Sequence, residues 1–139
     1  MCLCKRTGEK AKIALEDMPC RKVMYIDKID EKGKAWVRSF HFPYRSFCVG
    51  DDVMVPERKR DLEYLNNREE LGDGVIHAYT SVSHLLEIKP SSVKANDIVV
   101  VRCHIPMGAY YWTDEIGGLC ASTELVLDYL AIVDLQLPQ

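Results

Sequence analysis

Residues 102–112 read RCHIPMGAYYW, and they follow the run DIVVV of residues 97–101. The run DIVVVRCHI (97–105) is the most β-prone segment of the chain. Its consecutive branched residues predict a central strand buried on both faces. Pro106 has no N–H to give to a ladder, so strand pairing should stop there. Gly108 supplies backbone freedom for a tight turn. Ala109–Trp112 then resumes as a strand. The stretch is either a plain hairpin or half of a binding site, because in a strand Tyr110 and Trp112 share one face and Tyr111 takes the other. Such a face suits stacking on an adenine or a nicotinamide, anchoring a protein partner, or simple core packing.

Outward from this stretch the chain reads as one domain. Its 139 residues are enough to bury a core without disulfides. With 47% hydrophobic and 28% charged residues, the composition is that of a soluble globular protein. The net charge of −3 provides no electrostatic footprint for nucleic acid. No apolar run is long enough to cross a bilayer, and MCLCKRTGEKAK lacks the apolar centre of a signal peptide. The six cysteines (2, 4, 20, 48, 103 and 120) therefore point to a reducing cytoplasm. Cys2-x-Cys4 has no matching second pair and His84-x-x-Glu87 no third ligand, so no metal site is expected.

Residues 1–20 read as a weakly ordered lead-in, with room for two helical turns over 10–18 before Pro19. A hairpin follows: strands at 21–29 and 34–40 flank a polar turn ending in Gly33. Val53–Val55 makes a short strand. Residues 56–71, PERKRDLEYLNNREEL, form the main helix candidate, with Pro56 in its first turn and Leu62 and Leu65 on a narrow apolar face. Its charged start is mixed in sign and reads as a solvated face. GVIHAYTS (74–81) is a short strand, and SVSHLLEI (81–88) a two-turn helix capped by Ser81. After the turn at Gly117-Gly118, Leu125–Leu135 is a last apolar strand. The expected fold is α+β: a lead-in over 1–20, then a single domain over 21–139, mostly antiparallel sheet with one main helix.

The order within 74–128 carries a resemblance. A strand ends in Thr80-Ser81, a helix follows, a central strand runs into Ile105-Pro-Met-Gly108, and Glu124 stands just before an apolar strand. This resembles the back half of ADP-ribosyltransferase-type domains. The Gly-x-x-His strand and the Ile-Pro-x-Gly-x-Tyr-Tyr stretch are also similar to small uncharacterised proteins of gut bacteria and their phages. The resemblance implies an ADP-ribosyltransferase-like fold. In an active member NAD would be the cofactor, Glu124 the catalytic carboxylate, and His77, Thr80 and Ser81 the lining of the dinucleotide site. Two departures argue against retained chemistry. Arg21, Tyr25 and Arg38 stand on early strands without a Tyr-Arg-Gly context, and Ser122 stands two before Glu124 where protein-modifying members carry Glu or Gln.

Three functional readings follow. The first is a small cytoplasmic accessory protein of bacterial or phage origin, non-catalytic, without a cofactor, binding a nucleotide-like ligand or a protein. The others are an active NAD-dependent transferase and a pure protein-interaction or inhibitor module. Read alone, Glu124 is either a ribose-binding carboxylate or an exposed strand-end residue. His77 and His104 are either ligand contacts or strand imidazoles bonded to backbone. The cluster Phe40, Phe42, Tyr44 and Phe47 reads as core packing around a turn.

Overall fold

The computed structural model describes residues 3–41, 43–114 and 118–133. In chain order the elements are β1 (Leu3–Cys4), β2 (Lys12–Ile13), β3 (Met18–Ile29), β4 (Ala35–Arg38), β5 (Ser46–Cys48), β6 (Val53–Met54) and α1 (Leu62–Asn66). Then come β7 (Glu70–Leu71), β8 (Ile76–Tyr79), β9 (Leu85–Glu87), a 3₁₀ turn at Pro90–Ser92, β10 (Ile98–Ile105), β11 (Tyr110–Thr113), β12 (Leu119–Ser122) and β13 (Leu125–Val133). Cys2, Phe42, Gly117 and residues 134–135 of the expectations above lie outside the described residues.

β10 sits at the centre. It pairs antiparallel with β3 from Ile98↔Tyr25 to Ile105↔Met18, and on its other edge with β13. Its pattern alternates: Val99, Val101, Cys103 and Ile105 are buried, while Val100, Arg102 and His104 are half-buried and Ile98 is exposed. The expected burial on both faces is therefore corrected. The branched run supplies β propensity, but only one face meets the core.

β3 is 12 residues long and changes partner along its second edge. Arg21 pairs with Tyr79 of β8, and from Tyr25 onward β3 pairs with β4. β13 does the same, with β6 at Leu125–Val126 and β9 at Ala131–Val133. The result is an 11-stranded sheet with β11, β12 and β8 as one arm and β4–β5 as another, beside the small β1–β7 pair.

The arm formed by β8, β11 and β12 divides two apolar clusters. Ile76, Ala78 and Cys120 join Met24, Val101, Cys103 and Leu127 in the main core, with Tyr111 packed against it. Trp112, Leu119, Ala121 and Val75 join Leu3, Leu65 and Leu71 in the second. Residues 1–20, read above as a lead-in, thus contribute β1, β2 and the start of β3, and Leu3 is fully buried.

The α+β expectation with one main helix is overturned. Of the described residues 46% are in strands and 6% are helical, and none of them forms a helix of seven residues or more. Within 56–71 only Leu62–Asn66 is helical. Asp61 Oδ1 accepts Tyr64 N–H at 2.8 Å, which starts the helix there and not at Pro56. Leu65 is its one buried residue, and Glu70–Leu71 has already become a strand on Leu3–Cys4. One buried side chain cannot hold a longer helix in place. Residues 81–88 hold no helix either: His84 turns to φ 63° and Leu85–Glu87 pairs with Ala131–Val133. Over 10–18 the chain forms β2 and the beginning of β3 instead of helical turns. The layout carried over from ADP-ribosyltransferase-type domains needed a helix after the 74–81 strand, and these residues do not form one.

The opening stretch is a corner. β10 ends at Ile105, Ala109 N–H bonds to Pro106 O at 3.1 Å, and β11 joins β12 and β2 without returning onto β10. Gly108 sits at φ +91°, with no atom within 4 Å of where a Cβ would be. A side chain there meets conformational strain without a clash. Gly108→Val should lose about 2 kcal/mol in denaturant unfolding. Wild-type stability in that variant would contradict the corner.

Candidate functional site

The corner forms one wall of a cleft of about 510 Å³, which falls in the range of small-molecule sites. Gly108, Ala109, Tyr110, Thr123 and Glu124 line one side, and Val55, Pro56, Lys59, Arg60, Asp61 and Leu62 line the other. Tyr110 is held beside Glu124 by two short ties. Thr123 N–H donates to Tyr110 O at 3.0 Å, and Tyr110 N–H donates to Thr123 Oγ1 at 3.2 Å. Ser122 Oγ donates to Glu124 O at 2.9 Å, which fixes the backbone that presents the carboxylate.

On the opposite wall, Gly74 gives Arg60 its place. A Cβ at Gly74 would lie 2.6 Å from Arg60 Cγ, and the residue has φ +84°. With its stem laid over Gly74, Arg60 pairs with Asp73 at 2.7 Å and covers the Tyr64 ring at 4.5 Å. The Arg60 charge is thereby occupied. Lys59 and Glu124 form no ion pair among the described residues, and both are exposed. Asp61 is likewise exposed and in no ion pair among the described residues, but its carboxylate caps α1 through Tyr64 N–H.

Of the residues singled out from sequence, Glu124 and Tyr110 come together here. Trp112 shares Tyr110's side of β11 but is 1% exposed in the second cluster, with Nε1 donating to Glu9 O at 3.3 Å. Thr80 is tied to Gly118 O through its backbone N–H at 3.0 Å, and Ser81 is exposed beyond the end of β8. Neither lines the cleft. Lys59 was passed over because the sequence shows only a mixed charge run there. Nothing in the spacing says that residues 55–62 face residues 108–124.

His77 is a structural tie. It is 8% exposed, and Nε2 lies 2.7 Å from Leu71 O and 3.3 Å from Leu3 N. The shorter contact makes Nε2–H the donor to Leu71, joining β8 to the β1–β7 pair. His104 takes a different place, on the outer face of β10, with Nδ1 2.8 Å from Asp128 Oδ2 and Nε2 3.8 Å from Asp17 Oδ2. No group of three metal-ligating side chains occurs among the described residues.

Burial pushes His77 from 6.5 down to about 4. The folded protein therefore refuses a proton that the unfolded chain accepts. This contribution is fully present above pH 6.5 and is lost as the pH falls toward the folded value of about 4. The expected loss is about 3 kcal/mol by pH 4. Unfolding free energies of the wild type and of His77→Gln, measured between pH 7 and 4, should converge by that amount. Parallel curves would contradict the burial of a neutral imidazole.

Comparison of the chain with protein-family models, curated proteins and solved structures finds no match.

Proposed function

We propose that this chain is a small, non-catalytic binding protein and that the cleft between residues 55–62 and 108–124 takes a nucleotide-like ligand. The observation that carries the reading is the convergence of Glu124, Tyr110 and Lys59 on one cleft, with neither charge in an ion pair among the described residues. The chemistry fits three parts of such a ligand. The Tyr110 ring offers an apolar face for a base. The Glu124 carboxylate accepts hydrogen bonds from ribose hydroxyls. Lys59 is a flexible point charge for a phosphate. The volume suits a mononucleotide better than a dinucleotide.

Two features support binding without catalysis. The cleft lining contains no nucleophile paired with a base. Of the residues that a transferase reading would assign to NAD, Tyr110 lines the cleft, and His77, Thr80, Ser81 and Trp112 do not. A cytoplasmic setting is part of the same proposal. Cys4, Cys20, Cys48, Cys103 and Cys120 are all free thiols, as a reducing compartment maintains them. No helix among the described residues is long and apolar enough to cross a membrane. On the resemblance given above, we infer a bacterial or phage origin.

Calorimetric titration with AMP, ADP-ribose and NAD tests the reading. AMP or ADP-ribose should bind, and both Glu124→Gln and Tyr110→Ala should weaken it about tenfold, the loss of roughly 1.4 kcal/mol. Absence of heat with all three at millimolar concentration would remove the nucleotide reading. NAD turnover that disappears in Glu124→Gln would establish the transferase instead.

A further inference from the structure

A second, mostly apolar pocket lies where β3 leaves β8 for β4. Its volume is about 180 Å³, and Lys22, Ser39, Phe40, His41, His77 and Tyr79 are among its lining residues. Four of the lining residues, Val23, Phe40, His41 and Tyr79, are exposed. Among the described residues, β3 has no strand partner on that edge between Arg21 and Tyr25, and the pocket opens there.

Lys22 is unusual for a lysine. It points to the core side of β3 with Cys20 and Met24, and it is only 7% exposed. Its Nζ donates to the His77 carbonyl at 2.6 Å. An ammonium has three N–H groups, and a buried one normally faces a carboxylate. Lys22 has no ion pair among the described residues. The groups that favour its charge are the thiols Cys103, Cys120 and Cys20, while burial opposes it and pulls its pKa down. Hydrogen bonding between the thiols, with burial, holds Cys20 and Cys120 well above the ordinary thiol range, so they stay neutral. An uncompensated buried cation is costly, and the cost falls when an anion takes the adjoining space.

The pocket offers that anion further hydrogen bonding. Ser39 is 1% exposed and accepts His41 N–H at 3.2 Å, which leaves its own O–H to donate. The volume equals roughly six waters at about 30 Å³ each, enough for an acetate-sized molecule and too small for a nucleotide. One lysine balances one negative charge, so a monoanion fits better than a phosphate dianion.

We propose that this fork pocket is a binding site for a small carboxylate, with Lys22 as its charge partner and Ser39 as a hydrogen-bond donor. The site is separate from the cleft beside Glu124 and stands whether or not nucleotides bind there. The test is titration of the whole protein with acetate against chloride at constant ionic strength. Two quantities are followed: the NMR signals of the Lys22 side chain in lysine-labelled protein, and the melting temperature. Acetate should shift the Lys22 signals saturably and raise Tm. Lys22→Met, which keeps most of the side-chain volume, should lose the acetate-dependent rise, while Lys59→Met should keep it. Lys22 signals that ignore acetate would overturn the proposal. So would a Lys22→Met protein with the same acetate dependence as the wild type. If Lys22→Met does not fold, the wild-type NMR titration decides alone.

Discussion

Everything in this molecule is arranged around the ladder that holds β10 between β3 and β13. Residues 98–105 pair without interruption against 18–25, and the opposite edge carries β13. The three strands bring Met24, Val101, Cys103, Leu127 and Leu130 to one core. That burial is non-directional, but the ladder gives it a register. Cys20 and Cys103 fall directly opposite each other, with their sulfurs 3.5 Å apart.

The strands beside β10 have to share their outer edges. β3 meets β8 and then β4, and β13 meets β6 and then β9. Where β3 changes partner, its edge cannot be closed by a neighbouring strand, and the space becomes a pocket. The fork thus places a buried lysine beside solvent-reachable space. The other cleft has a different origin. The corner at 106–109 sends the chain off the β10 ladder, and residues 55–62 line the cleft together with it.

The two sites differ in how they treat charge. In the larger cleft, Lys59 and Glu124 are exposed, so water screens them and a ligand gains modestly from each. In the fork pocket, Lys22 is buried, so each missing partner matters more. His77 shows the same physics without a ligand: burial keeps the ring neutral and one carbonyl satisfies its N–H.

The sequence by itself determined the local events. Branched residues at 98–101 make a strand, Pro106 ends it, Gly108 turns it, and Gly33 closes a hairpin, all through backbone sterics that need no distant partner. It also brought Tyr110 and Glu124 forward as site candidates. Where distant contacts had to choose, the sequence was ambiguous. The segments 56–71 and 81–88 have weak helical patterning, and strand pairing with β1 and β13 prevailed because it satisfied backbone groups the short helices would have left to solvent. Lys22 reads as an ordinary strand lysine, and only the packing of the core side of β3 buries it. The meeting of residues 55–62 with 108–124 likewise follows from tertiary packing, because no periodicity encodes which loop will face which corner.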